Sequence, residues 1–95
     1  MPYFALFYET VDGFVERRQP YRGPHLAMID EAYRKGELVL AGALKPSGAL
    51  LVFHVDDAAA VQAFANHDPY VLNGLVKSWR VQEWNVVVGA HAVPR

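Results

Sequence analysis

Two tripeptides carry the chemistry legible in this chain. Asp68-Pro69-Tyr70 and Gly23-Pro24-His25 are each a helix-start signal with a proton-handling side chain set into it. Pro suits the first helical position, where its missing N–H is not needed. A histidine beside an aspartate is a proton-transfer pair. The carboxylate favours the charged ring and holds one tautomer, which frees the other ring nitrogen to take or give a proton. In the first turn of a helix, the positive dipole end would oppose that effect by disfavouring the imidazolium. Arg22, or backbone N–H groups at the same helix start, would stabilise a developing oxyanion. Ser47 and Tyr70 are further groups for holding a substrate oxygen. A plainer reading stands beside this one: Asp68 before Pro69 is a good N-cap, and His25 a surface residue of an amphipathic helix. Spacing alone leaves both readings open.

The elements that must position these residues follow from apolar patterning. Residues 3–8 are apolar and aromatic on both alternating faces, the mark of a buried central strand. Asp12-Gly13 is a breaker, and residues 14–19 could form a short helical turn. A first helix is expected to start near Pro24. Its stripe is Leu26, Ile29, Ala32 and Tyr33, and Gly36 is its stop. Residues 38–44 and 50–55 read as strands joined in a hairpin by the Lys45-Pro46-Ser47-Gly48 turn. Asp56 or Asp57 caps a second helix whose inner side is Val61, Phe64 and Ala65. That helix ends near Asn66-His67, Asp68-Pro69 opens a short turn running to Gly74, and residues 78–88 read as a long last strand. Trp79 and Trp84 fall on its opposite faces.

The order β-α-β-β-α-β predicts one α+β domain over residues 1–95, with a ferredoxin-like four-stranded antiparallel sheet. Right-handed crossovers put both helices on one face. The start of the first helix, the hairpin turn and the segment after the second helix then converge at one end. His25, Asp68, Glu9, Arg22, Ser47 and Tyr70 all belong to that end. The uncovered face would carry Tyr3, Ala5 and Phe7, a patch that soluble monomers avoid, so a homodimer is expected.

Composition narrows the function classes. The formal net charge is −1 and no basic stripe exists, so nucleic acid is not an expected partner. Arg17-Arg18 reads as a solvated basic pair. No cysteine is present, which removes disulfides, thiolate metal sites and Cys nucleophiles. The histidines lack metal-ligand spacing, so neither a metal nor an organic cofactor is expected. His54 reads as a packed residue of the outer sheet face, His67 as exposed, and His91 as part of the tail. Residues 1–10 show neither a signal peptide nor a membrane span, which makes a cytoplasmic location the default expectation.

The run Arg22-x-x-His25-Leu26, Gly36, a strand reaching Ala41-Gly42, Gly48-x-Leu50, Asp68-Pro69-Tyr70 and a last strand with Trp84 resembles the YciI-like (YCII-related) proteins over nearly the whole chain. The resemblance implies a ferredoxin-like fold and dimers of the dimeric α/β-barrel type. It also implies a His–Asp pair at the active site, which falls on His25 and Asp68, with Arg22 as the basic residue that often precedes the His. Many family members read Gly-Pro where this chain reads Gly42-Ala43. The wider superfamily includes isomerases, dehydrochlorinating lyases and monooxygenases of small, often aromatic-derived molecules. Two functions are therefore expected to compete. One is a cofactor-free lyase or isomerase in which His25 moves a proton on a small organic substrate. The other is a non-catalytic module of the same fold that only binds a small ligand.

Overall fold

A computed structural model describes residues 1–89. The elements run β1 (Tyr3–Thr10), α1 (Phe14–Arg17), α2 (Gln19–Arg34), β2 (Leu38–Ala43), β3 (Ala49–His54), α3 (Ala58–His67), α4 (Pro69–Leu72) and β4 (Val76–Trp84). The sheet order is β2-β3-β1-β4 with every neighbouring pair antiparallel. This is the expected βαββαβ arrangement, with helices packed on one face.

The two faces of β1 divide the labour. Phe4, Leu6 and Tyr8 point to the helices and join Leu51, Phe53, Val61, Ala65 and Leu75 in the core. Leu6 and Val61 have no exposed surface, and burying such a side chain contributes about 1.5–3 kcal/mol. Trp79 lies opposite Tyr8 and packs against this core, while Trp84 lies opposite Tyr3 and is half exposed. The alternation of faces on β4 is as the sequence implied. β4 itself is shifted, spanning 76–84 rather than 78–88; residues 90–95, including His91, lie outside the described residues.

Two expectations for the first helix fail. It begins at Gln19, with Pro20 in the favoured first-turn position, and runs straight through Pro24. Pro24 keeps a helical φ and forfeits only the hydrogen bond that its N–H would have made to the Pro20 carbonyl. Two prolines four residues apart both suit a helix start, and the sequence alone favoured the wrong one. Of the expected apolar stripe, Ala32 and Ile29 pack on the core, but Tyr33 is 63% and Leu26 45% exposed. Gly36, in the left-handed region at φ 78°, does end the helix, and Glu37 N–H closes the turn onto the Ala32 carbonyl at 3.0 Å.

α3 is capped by Asp57, whose carboxylate accepts from Ala59 N–H at 2.9 Å. The chain then turns at Asp68, which caps α4 in the same way by accepting from Tyr70 N–H at 3.0 Å. The β2–β3 turn docks on the end of β1, where Gly48 N–H donates to Thr10 Oγ1 at 3.2 Å. No helix among the described residues is long and apolar enough to cross a membrane.

Candidate active site

Asp68 is the centre of the site. It has no exposed surface, so its carboxylate must be satisfied by the protein. Three donors converge on it. Oδ1 accepts from the Tyr70 backbone at 3.0 Å and lies 2.8 Å from His25 Nδ1. Oδ2 accepts from the Tyr8 hydroxyl at 2.7 Å. A carboxylate has only acceptor capacity, so Nδ1 carries the hydrogen and Nε2 is the nitrogen with a free lone pair. The cap and the His partner, two competing readings of Asp68 on sequence grounds, are one and the same residue performing both tasks.

His25 is held from a second direction. Its ring stacks on Tyr70, with centroids 3.8 Å apart and planes 13° from parallel. Tyr70 is in turn packed edge-on against Phe14 at 5.2 Å. An imidazole fixed by a hydrogen bond and a stacked ring loses its rotamer freedom on folding and does not lose it again in the reaction. The helix dipole is not part of this arrangement. His25 is the seventh residue of α2, and the dipole effect falls off within the first turn.

Tyr8 is the member that sequence reasoning missed. The signal was present: a phenol alternating with Phe4 and Leu6 on the face that becomes the core needs a buried partner for its hydroxyl. Burial pushes the Tyr8 hydroxyl far above its ordinary value of 10.0, and the charge and hydrogen bond of Asp68 push it the same way. The sign for stability is definite. Above about pH 10 the unfolded chain gives up this proton and the folded chain keeps it, so stability present below that pH is lost as pH rises. Tyr8→Phe is expected to be less stable than wild type at neutral pH, because Asp68 Oδ2 loses its donor. It should also show a flatter decline of stability above about pH 10, read from denaturant unfolding at stepped pH.

His25, Arg22 and Tyr70 line a cavity of about 380 Å³, together with Tyr8, Phe14 and Arg18. The far wall is β2 and β3, including Ala41, Gly42 and Gly48. The structure thus brings four of the five sequence-predicted site residues together. Ser47 is not among the residues lining this cavity; it lines an adjoining one of about 420 Å³ with Glu9, Asp12 and Lys77. The reason is local, since Gly48 is the turn residue that faces β1 and Ser47 sits exposed at the tip. Arg18, read as solvated, is half-buried and shared by both cavities, whereas Arg17 is exposed. Arg18 precedes the true start of α2, and four residues on Arg22 follows on the same stripe.

Among the described residues, His54 and His67 stay outside the site. His54 stacks on Tyr3 at 4.3 Å and its Nε2 lies 2.8 Å from the Met1 carbonyl. His67 donates from Nδ1 to the Ala63 carbonyl at 2.7 Å. Among the described residues no three His, Cys, Asp or Glu side chains are grouped to hold a metal ion.

The profile of the YCII-related domain matches residues 1–85. The chain belongs to the YCII-related family. A solved structure with the same fold as this YCII-related protein is 5-chloro-2-hydroxyhydroquinone dehydrochlorinase from Burkholderia phenoliruptrix, in complex with 2,5-dihydroxybenzoquinone. The match has a TM-score of 0.75 at 20% identity and covers 86% of this chain and 92% of that one. At such identity the likeness is one of fold. A search of curated proteins gave no match.

Proposed function

We propose that this YCII-related protein is a cofactor-independent enzyme of the lyase or isomerase type, with His25 as the group that moves a proton on a small organic substrate. The observation that carries the reading is the hydrogen-bonded series Tyr8–Asp68–His25, which ends at a cavity of single-ring size. His25 Nε2 accepts a proton from a substrate O–H or C–H, and the electron pair left behind settles on a substrate oxygen. Asp68 holds the ring and offsets the positive charge it acquires, and Tyr8 prevents the carboxylate from turning away. Return of the proton to a different atom completes an isomerisation; departure of a leaving group completes an elimination. The named substrate and ligand of the dehydrochlorinase favour a hydroxylated ring as the substrate class here.

Ring hydrogen exchange in D2O, followed by proton NMR, tests this on 2-hydroxyhydroquinone and 2,5-dihydroxybenzoquinone, with chloride release measured on 5-chloro-2-hydroxyhydroquinone. Catalysed exchange or elimination is expected, falling by about 10²–10⁴-fold in His25→Ala. Saturable binding of these compounds with no catalysis of either kind would instead make the chain a binding module.

The working unit is proposed to be a homodimer joined through the outer sheet face. Within one chain the centre of that face is shaded, since Tyr3 stacks on His54 and Arg80 lies 4.1 Å over the Phe7 ring. The apolar surface left in contact with water is at the flanks, where Leu40 is 59% and Trp84 48% exposed. Sedimentation at micromolar concentration is expected to give a dimer for wild type and a monomer for Leu40→Asp/Trp84→Asp. A monomeric wild type would remove the proposal.

A further inference from the structure

The cavity in front of His25 carries two guanidinium groups and no acidic wall. Arg18 and Arg22 line it, and no Asp or Glu does. Neither arginine makes an ion pair among the described residues. Arg18 is held instead by its position over the Phe14 ring, 5.5 Å from the centroid, and its Nε is buried with no hydrogen-bond acceptor. Burial holds the Tyr70 hydroxyl above its ordinary value of 10.0, while the guanidinium charges of Arg18 and Arg22 pull it the other way. Of the carboxylates at this end, Asp68 is fully buried behind His25 and Tyr8, and Glu9, Asp12 and Glu16 line the adjoining cavity, which Arg18 also borders. A partly desolvated arginine that lacks an internal acceptor is costly in the free protein and is the residue type best shaped to grip a carboxylate in a two-point fork.

Spacing along α2 adds the geometry. Arg18, Arg22 and His25 fall on one stripe. At ~1.5 Å of rise per residue, Arg22 precedes His25 by ~4.5 Å and Arg18 by ~10 Å. We infer that the cavity selects a single-ring substrate bearing a carboxylate, with the carboxylate on Arg18 and Arg22 and the ring extending to His25 Nε2. Phe14 supplies an apolar wall along the way. This inference names the substrate class of the site proposed above and rests on that reading for what happens at His25. Its test, however, reads binding rather than turnover.

The test is calorimetric titration with 2,5-dihydroxybenzoate and its uncharged amide, 2,5-dihydroxybenzamide, which keeps shape and ring hydroxyls. The acid is expected to bind at least tenfold more tightly than the amide, and more weakly as salt rises. The preference should vanish in Arg18→Gln/Arg22→Gln and persist in His25→Ala. Folding of each variant is checked by thermal unfolding, and the acid-against-amide comparison on wild type needs no variant at all. Equal affinities, a preference that survives removal of both arginines, or no saturable binding of the acid would each overturn the inference. So would tighter binding of 2,5-dihydroxybenzoquinone than of the acid, since an ionised ring hydroxyl would then be the anion recognised. A carboxylate preference with no catalysis on any compound would sink the proposed enzyme and leave this inference standing; catalysis without the preference would do the reverse.

Discussion

Asp68→Asn is expected to fold and to lose about 10²–10⁴-fold in turnover, the usual span of an acid–base contribution. The hydrogen bonds explain why this variant separates structure from chemistry. The amide oxygen takes the place of Oδ1 and still accepts from Tyr70 N–H and His25 Nδ1–H. The amide nitrogen takes the place of Oδ2 and meets the Tyr8 hydroxyl, which rotates from donating to accepting. Asn is nearly as good a cap as Asp, so α4 and Tyr70 stay in place. What disappears is the negative charge beside the imidazole, and with it the compensation for the positive ring. Asp68→Ala tests the other half. It leaves the Tyr8 hydroxyl and the Tyr70 N–H buried without an acceptor and should cost ~2–6 kcal/mol, at about 1–3 kcal/mol for each orphaned group. For a domain of this size each kcal/mol moves the midpoint of thermal unfolding by about 4–8 °C. A folded Asp68→Asn with full activity would refute the dyad, and an unchanged midpoint for Asp68→Ala would refute the structural role.

Gly48→Ala is expected to be the most damaging methyl group that can be added near the cavity. Gly48 has φ +93°, a region closed to side chains, and an added Cβ would meet the Tyr8 carbonyl oxygen at 2.8 Å. That contact is with backbone in the central strand, so nothing flexible can yield. Strain and overpacking together should cost ~2–4 kcal/mol, read as a fall of the unfolding midpoint. The consequence reaches the chemistry, because the residue displaced is the one whose hydroxyl holds Asp68 Oδ2. Slower turnover at temperatures where the variant is still folded is therefore expected as well. By contrast Gly42, on the same cavity wall, has no atom within 4 Å of an added Cβ, and Gly42→Ala should be close to neutral in stability.

The β-α-β-β-α-β order and the convergence of His25 and Asp68 followed from the sequence because both rest on pattern and topology. Strand 1 had to be central, since Phe4 and Leu6 alternate with Tyr3 and Ala5 and all are apolar. Given right-handed crossovers, the segment after the second helix had to return to the end where the first helix begins. Asp68 announced itself as a cap through its own neighbours, and Asp56-Asp57 offered a cap between them, of which the structure uses Asp57. These are local or handedness-driven facts, and a chain carries them in one dimension.

Tertiary structure decided the rest. The sequence placed the start of the first helix at Pro24, whereas in the structure it starts at Gln19 and Tyr21, in the added turn, packs against the core. That earlier start took His25 out of the first turn, removed the dipole from its chemistry and brought Arg18 to the cavity rim. The Tyr8 hydroxyl could be seen to need a partner, yet nothing within its own strand could supply one. The partner is Asp68, sixty residues away. The hairpin turn showed Ser47 and Gly48 as neighbours, but which of them faces the cavity depends on the left-handed backbone at Gly48 and its bond to Thr10. Sequence periodicity fixes which side of an element is apolar. The direction of a single polar side chain is set by the acceptor it finds, and that acceptor comes from another part of the chain.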